Sequence, residues 1–466
     1  MKQRIQISEH FTMGKMLRFA LPSIGMYIVD NTYQIADGYF ISNYIGVNAF
    51  AAENLIFPPM VIVLYIGMMF GTGGSALIAR ELGAGRTERA NRLMGMVISV
   101  LAAAGTLLAA AFFILVPEIC GWVGVAEEIR PACIAYARVL ACFMPFQMLS
   151  MAFHPLLVTA GQPGLGLKTT IANAAANILL DWLFVGVLKW GIVTNAGEAA
   201  RLLSGAALAT GLAWTVSAVI PLIYFLNPKN PLHLARPCMD GKALGKTMYN
   251  GTSEMVTGIS YAFVSMVFNM QLLRYLHEAG VSASAVSEYV SGMFLAILSG
   301  ISMSIVPVVG YQLGRKDIGE LRGLRKTGLT LMGITGVTMT VLAFALADPI
   351  ARIFVGYDAE VTALAIQALR IICFSYMLSG LTTFSSSYFT GLNQGTASLV
   401  IAACKGLIGP LAGVLLLPRL IGATGLWFTT PAAEVLALAA ALVFYAWWRK
   451  KEESGNLPEP EKETGE

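Results

Sequence analysis

Long apolar runs separated by short polar ones recur along the whole chain. A run of about 18 or more apolar residues can cross a hydrocarbon core of roughly 30 Å as a helix. Twelve such spans are predicted near 17–41, 50–75, 93–116, 133–154, 168–188, 203–226, 250–275, 284–308, 329–347, 365–388, 399–417 and 423–447. The fold class that follows is an all-α membrane protein of twelve transmembrane helices.

Polar residues within the spans stand out because an aspartate at the centre of a membrane helix costs about 2.5–3.5 kcal/mol. The stretch VDNTYQIADGYF (29–40) places Asp30 and Asp37 seven residues apart. That is nearly two helical turns, so both carboxylates share a face. Span 5, TIANAAANILLDWLF (170–184), carries Asn173, Asn177 and Asp181 at steps of four, a polar stripe two turns long. With a cytoplasmic N-terminus, spans 1 and 5 run outward. Asp37 then lies in the outer third of span 1 and Asp181 in the outer half of span 5. Asp30 sits near the middle, and Thr210 of span 6 falls in the same outer layer as Asp37 and Asp181.

Carboxylate, amide and hydroxyl oxygens at one depth suit a hard monovalent cation or a shared proton. Polar groups in membrane helices generally face a bundle interior or water and mark ion or substrate pathways. The bland alternatives are a water-facing helix end for Asp37 and interhelical hydrogen bonding for Asn173 and Asn177.

The chain also repeats itself. ALIARELGAGRTERANRL (76–93) is echoed by PVVGYQLGRKDIGELRGL (307–324), aligning Leu82-Gly83 with Leu313-Gly314. At an offset of 232, Pro117 meets Pro349, Val123-Gly124 meets Val355-Gly356, Arg138 meets Arg370 and Gln162 meets Gln394. SGAALAT (204–210) answers TGLWFTT (424–430) at an offset of 220, the difference reflecting an insertion around NAGEAARL (195–202). Two six-helix units in tandem enter the membrane from the same side, so the expected relation is a pseudo-twofold axis along the membrane normal, with the substrate path between the lobes. The predicted divisions are an N-terminal six-helix lobe over 1–226, a cytoplasmic linker over 227–249, a C-terminal lobe over 250–448 and a disordered cytoplasmic tail over 449–466.

Composition agrees with a membrane protein: 56% hydrophobic and 12% charged over 466 residues, mean hydropathy +0.68. Lys and Arg concentrate on one side, with Arg86, Arg89 and Arg92 after span 2 and Arg315, Lys316, Arg322, Arg325 and Lys326 after span 8. That bias puts both termini in the cytoplasm. It also accounts for the net charge of +4 without a nucleic-acid partner. MKQRIQISEHFTMGKMLRFALP lacks a small-residue cleavage site, so span 1 reads as a retained helix. The six cysteines, Cys238 among them, have no metal-ligand spacing and read as small apolar fillers. The GxxxG at Gly67 and Gly71 permits close helix approach, although glycine is common in membrane helices.

Other polar residues are ambiguous. Glu254, Glu288 and Glu434 lie in spans 7, 8 and 12; Glu254 and Glu434 could balance a cationic substrate or serve packing. Glu53 with Asn54 opens span 2 and reads as interfacial. His154 is a cavity candidate, although a lone histidine is more often a structural residue. Tyr33 and several methionines suit a pocket adapting to organic cations. Pro22 removes a backbone hydrogen bond from span 1 and is the natural bend. No nucleotide-binding, hydrolase or metalloprotease motif occurs, so neither an enzyme nor an ATP-driven pump is expected and an ion gradient is the energy source.

The chain resembles the multidrug and toxic compound extrusion (MATE) transporters, in their bacterial drug-exporter branch, over essentially all twelve spans. The resemblance rests on ALPSIGMYIVDNTYQIADGYFISNYIG (20–46), ALIARELGAG (76–85), NAAANILLDWLF (173–184), SGAALAT (204–210), NGTSEMV (250–256) and IVPVVGYQLG (305–314). It implies cation coupling at Asp37, Asn177, Asp181 and Thr210 and a hinge at Pro22, with Asp30, Tyr33, Asn173, His154 and Glu254 as substrate-cavity candidates. Asp30 stands where polar, uncharged residues are common in the family. Glu254 lies earlier than the span 7 glutamate of some sodium-coupled members. The expected activity is export of cationic amphiphilic drugs in exchange for H⁺ or Na⁺, by a monomer in a bacterial cytoplasmic membrane, with no cofactor and no metal beyond Na⁺ at the coupling site. The alternatives are a lipid-linked or polysaccharide flippase, disfavoured by the scarcity of basic residues within the spans, and a non-transporting receptor.

Overall fold

The computed structural model describes residues 5–192, 197–237 and 239–454. Cys238, part of the NAGEAARL insertion and the tail from residue 455 lie outside the described residues.

The described chain is built from helices, as hydrocarbon demands of backbone that must bond internally. They are α1 (Met13–Phe40), α2 (Val47–Gly83), α3 (Thr87–Val123), α4 (Arg130–Thr159), α5 (Pro163–Asp181), α6 (Glu198–Leu226), α7 (Gly241–Gly314), α8 (Ile318–Val355), α9 (Ala359–Gly391), α10 (Gly395–Ala403), α11 (Gly409–Ile421) and α12 (Thr429–Glu453). Ten spans meet the length and hydropathy of a membrane crossing, with α10 and α11 joined into one of them. At about 1.5 Å per residue, α7 would be about 110 Å long, several times a bilayer core. It is two helices, broken at His277 (φ 52°, ψ −155°). Helix α1 is 28 residues long, and its polar side chains lower its hydropathy. Asn31 and Thr32 donate to the carbonyls of Tyr27 and Ile28 at 2.8 Å, satisfying themselves on their own helix. Twelve spans result.

Three π-helical turns interrupt these helices: Ile41–Ile45 after α1, Trp182–Val187 after α5, and Cys404–Ile408 between α10 and α11. Such turns often mark functional positions.

The chain divides into two compact units. One comprises Gly25–Gly74 and Thr87–Met248; the other comprises Met1–Ile24, Ser75–Arg86 and Tyr249–Glu466, over their described residues. In the first, α4 packs on α3 and α6, and α5 on α6. A Cβ on Gly67 would sit 2.6 Å from the Met148 carbonyl, and one on Gly71 2.6 Å from Ala152 Cα. The GxxxG is therefore a backbone contact between α2 and α4.

In the second unit, α8 and α12 both pack on α9. The duplicated Leu-Gly motif explains why 75–86 belongs here. A Cβ on Gly83 would lie 1.9 Å from the Tyr311 carbonyl, and one on Gly314 2.1 Å from that of Arg80. The two copies of the motif cross one another, and each glycine admits the other's backbone. The N-terminal segment joins the same unit through His10, whose Nδ1 lies 2.6 Å from Glu320 Oε2, and Phe11, whose amide donates to Glu320 Oε1 at 3.0 Å.

The structure sharpens two sequence boundaries. Residues from Gly241 onward, assigned to the linker, are helical; earlier in it, the His233 amide donates to Asn91 at 3.0 Å. Residues 449–453, assigned to a disordered tail, continue α12. Glu452 there is buried and binds Arg322 at 3.0 Å and Arg325 at 3.5 Å, which docks this end of α12 on α8.

Candidate functional site

The unit formed by Gly25–Gly74 and Thr87–Met248 gathers polar groups from five helices. Asp37 of α1, Asn177 and Asp181 of α5 and Thr210 of α6 are all buried, Asn177 and Asp181 completely. Asn177 Nδ2 donates to Asp37 Oδ1 at 3.5 Å and to Thr210 Oγ1 at 3.3 Å. These are long bonds for one amide spread over two acceptors. The Asp37 carboxyl also touches the side chains of Asp181 and Glu53. Asp181 senses Glu53 only through its charge, whereas both interact directly with Asp37, which makes Asp37 the middle member of the row.

The acceptors outnumber the donors. Both carboxyl oxygens of Asp181, Oδ1 of Asn177 and Oε2 of Glu53 are buried and accept no hydrogen bond from a described protein group. Two carboxyls can hydrogen bond to each other only when one carries a proton. An uncompensated carboxylate away from water costs several kcal/mol. The arrangement therefore favours a small positive ion, H⁺ or Na⁺, held among oxygens.

Local sequence explains the convergence. The four-residue steps of Asn173, Asn177 and Asp181 put them on one face of α5, and the helix passes into its π turn immediately after Asp181. The π turn at Ile41–Ile45 packs on the one at Trp182–Val187 and on α6, which brings the ends of α1 and α5 together. Helix α2 enters through Gly46 at φ 122°, a conformation open to glycine.

Of the other candidates, Tyr33 and Asn173 adjoin this cluster, the Tyr33 hydroxyl bonding to Asn173 and Trp214, with Asp30 and Asp37 acting on it. Asp30 is half-buried on α1, about one turn before Tyr33 and two before Asp37. His154 is buried in α4 and interacts with none of the acidic groups. Glu254 lies in α7, in the other unit, half-buried and without a charged partner among the described residues. Glu288, beyond the break at His277, is exposed. Pro22 lies within α1, and the division between the units falls just after it, at Ile24 and Gly25.

Two residues escaped the sequence reading. Glu53 reads as interfacial because it opens a span. The signal was the tight turn at Gly46: Asp37 stands nine residues before it and Glu53 seven after, so in a helical hairpin they lie within about 3 Å in height. Tyr136 of α4 lies within the electrostatic reach of Glu53, Asp37 and Asp181. Nothing in its local sequence distinguishes it from a packing aromatic.

Comparison with known proteins agrees with this architecture. The MatE family model matches residues 22–183 and 255–415, one match in each half of the duplication. The Multidrug export protein MepA of Staphylococcus aureus is 22% identical over 435 residues, covering 92% of this chain and 93% of its own. The Probable multidrug resistance protein YoeA of Bacillus subtilis is 24% identical over 450 residues, covering 94% of each. Among solved structures, an outward-facing multidrug resistance MATE family transporter of the MOP superfamily superposes with a TM-score of 0.85 at 19% identity over 97% of this chain and 98% of that one, a likeness of fold. Duplicated helices, a multi-pass membrane fold and family matches in both halves lead to one identification: the chain belongs to the MatE family of multidrug efflux transporters and is not an enzyme.

Proposed function

We propose that this transporter is a secondary antiporter, exporting cationic amphiphilic compounds from the cytoplasm in exchange for a cation that enters at Asp37 and Asp181. The observation that carries the reading is the buried contact between these two carboxyls, with both Asp181 oxygens lacking a protein donor. A site of this kind has two stable conditions, ion-loaded and substrate-loaded, and antiport follows if each biases the protein toward opposite sides of the membrane.

Asn177 and Thr210 complete the oxygen shell of the ion. Asp30, Tyr33 and Asn173, next to that shell, sense an organic cation by charge and aromatic contact. Pro22 supplies the bend in α1 through which loading of Asp37 reaches the rest of the helix. The protein works as a monomer, surrounded by lipid, in a bacterial cytoplasmic membrane with both termini inside, the side favoured by its Lys and Arg distribution.

The test is efflux of ethidium or norfloxacin from proteoliposomes with pH and sodium gradients imposed separately. Wild type should transport under at least one gradient, whereas Asp37→Asn and Asp181→Asn, expressed and folded, should fall to the protein-free rate. Wild-type flux from both variants would sink the assignment.

A further inference from the structure

Glu53, half-buried, stands in the same row of carboxyls as the coupling pair. Its Oε2 is buried without a hydrogen-bond partner among the described residues, and its carboxyl interacts directly with that of Asp37, as Asp181 does, giving the order Glu53, Asp37, Asp181 across α2, α1 and α5. The groups facing this row are known from each neighbouring element: Tyr33 on α1, Tyr136 on α4, Asn177 on α5 and Thr210 on α6. None is basic, and no Lys, Arg or His among the described residues acts on the three carboxyls. Asp181 and Asn177 are fully buried, and both Asp181 carboxyl oxygens and Asn177 Oδ1 have no hydrogen-bond donor among the described residues.

A row of three carboxyls joined by two contacts has a definite proton count. With the proton as the coupling ion, each contact closes as O–H···O and holds one proton. Two contacts need two protons and leave a single negative charge on the row. A divalent-ion cage would instead require at least three ligands converging on one point, and no such group of His, Cys, Asp and Glu side chains occurs among the described residues.

We infer that Glu53 is the second proton carrier of the coupling site, so that two protons enter for each substrate cation exported. This rests on the antiport reading above and deepens it. The exchange balances as two H⁺ taken up outside by the row, carried across and released inside, against one monovalent cation moving out. One net positive charge enters per cycle, so the membrane potential drives transport as well as the pH gradient. Replacing Glu53 with Gln keeps the contact to Asp37 through an amide N–H and removes one proton from the count.

The experiment measures the ethidium gradient sustained by proteoliposomes at equilibrium. With the potential clamped at zero, two protons support a gradient of about 100-fold per pH unit and one proton about tenfold. With no pH gradient, a potential of about 59 mV should support about tenfold accumulation by wild type and none by Glu53→Gln. Glu53→Asp, which keeps an acid, should retain the wild-type slope; if Glu53→Gln does not reconstitute, Glu53→Ala is compared with Glu53→Asp in the same way.

Wild type that ignores the potential, a Glu53→Gln variant with wild-type slopes, or flux driven by a sodium gradient at matched pH overturns the inference. Those outcomes leave antiport at Asp37 standing. Unimpaired flux from Asp37→Asn would instead remove the antiport reading itself.

Discussion

The two halves of the duplication treat buried charge in opposite ways. At the offsets that align them, Asn173 corresponds to Lys405 and Trp214 to Glu434. In the first half these positions hold neutral groups that bond to Tyr33, beside a row of carboxyls without a basic residue. In the second half Lys405 Nζ lies 3.1 Å from Glu434 Oε1 and donates to Thr383 at 2.5 Å. Thr382 donates to Glu434 at 2.6 Å, and Ser379 donates to it as well. Glu434, 2% exposed, is thus satisfied by resident donors, one of them a covalently attached cation.

One helical framework therefore supports both a closed ion pair and an open set of oxygens. The closed pair has nothing to exchange. The open set has no resident basic residue among the described residues, which is what the proposed coupling site requires. Lys405 is also the mid-span basic residue whose scarcity counted against a flippase in the sequence reading; it is engaged by Glu434 and the threonines, not left to bind an anion.

The largest expected effect breaks the open side. Asp181→Asn should abolish gradient-driven efflux in proteoliposomes, whereas Glu434→Gln should retain gradient dependence. Loss of coupling in both would mean that the two clusters are not different in kind.

Next comes stability. Lys405→Met leaves a buried glutamate without its counter-ion and should cost about 3–5 kcal/mol, seen as a lower thermal unfolding temperature in detergent. Glu434→Gln should cost less, because the Lys405 side chain is 23% exposed and can reach water. The double variant Lys405→Met/Glu434→Gln should recover part of the loss of Lys405→Met; purely additive losses would show that the pair is not coupled.

A smaller effect separates two threonines. Thr210→Val removes one oxygen of the open set and should weaken coupling-ion affinity about two- to tenfold, the worth of one hydrogen bond. Thr382→Val should lower the unfolding temperature while leaving ion affinity unchanged. The smallest change is expected from Tyr33→Phe, which keeps the ring and drops the hydroxyl. A shift in apparent substrate affinity of no more than about threefold would place Tyr33 as an aromatic wall, since cation–π attraction resides in the ring face; a larger shift would make the hydroxyl the contact.

Much of this is legible in the sequence. Asp37, Asn177, Asp181 and Thr210 could be placed at one depth because a membrane helix rises uniformly and its entry side follows from the basic residues. Gly67 and Gly71 could be read as a close approach, since their spacing admits a neighbouring backbone. Glu53 is not legible as a site residue because its place at the start of a span reads as interfacial, whereas α2 begins at Val47 and places Glu53 in its second turn. Lys405 is equally silent, because a lone lysine in an apolar run carries no local sign of the glutamate 29 residues later that holds it.

Periodicity, hydropathy and the internal repeat were enough to determine that this protein is a duplicated bundle of membrane helices with acidic groups in its first half. Those properties follow from the solvent and the helix, and both act on local sequence. Which carboxyl is the middle of the row, which glutamate is already neutralised, and why residues 75–86 pack with the second half were decided only by tertiary structure. The reason is that contact among side chains depends on how helices rotate about their axes and turn into one another, through Gly46, the π turns and the crossing glycines, and no stretch of sequence specifies that by itself.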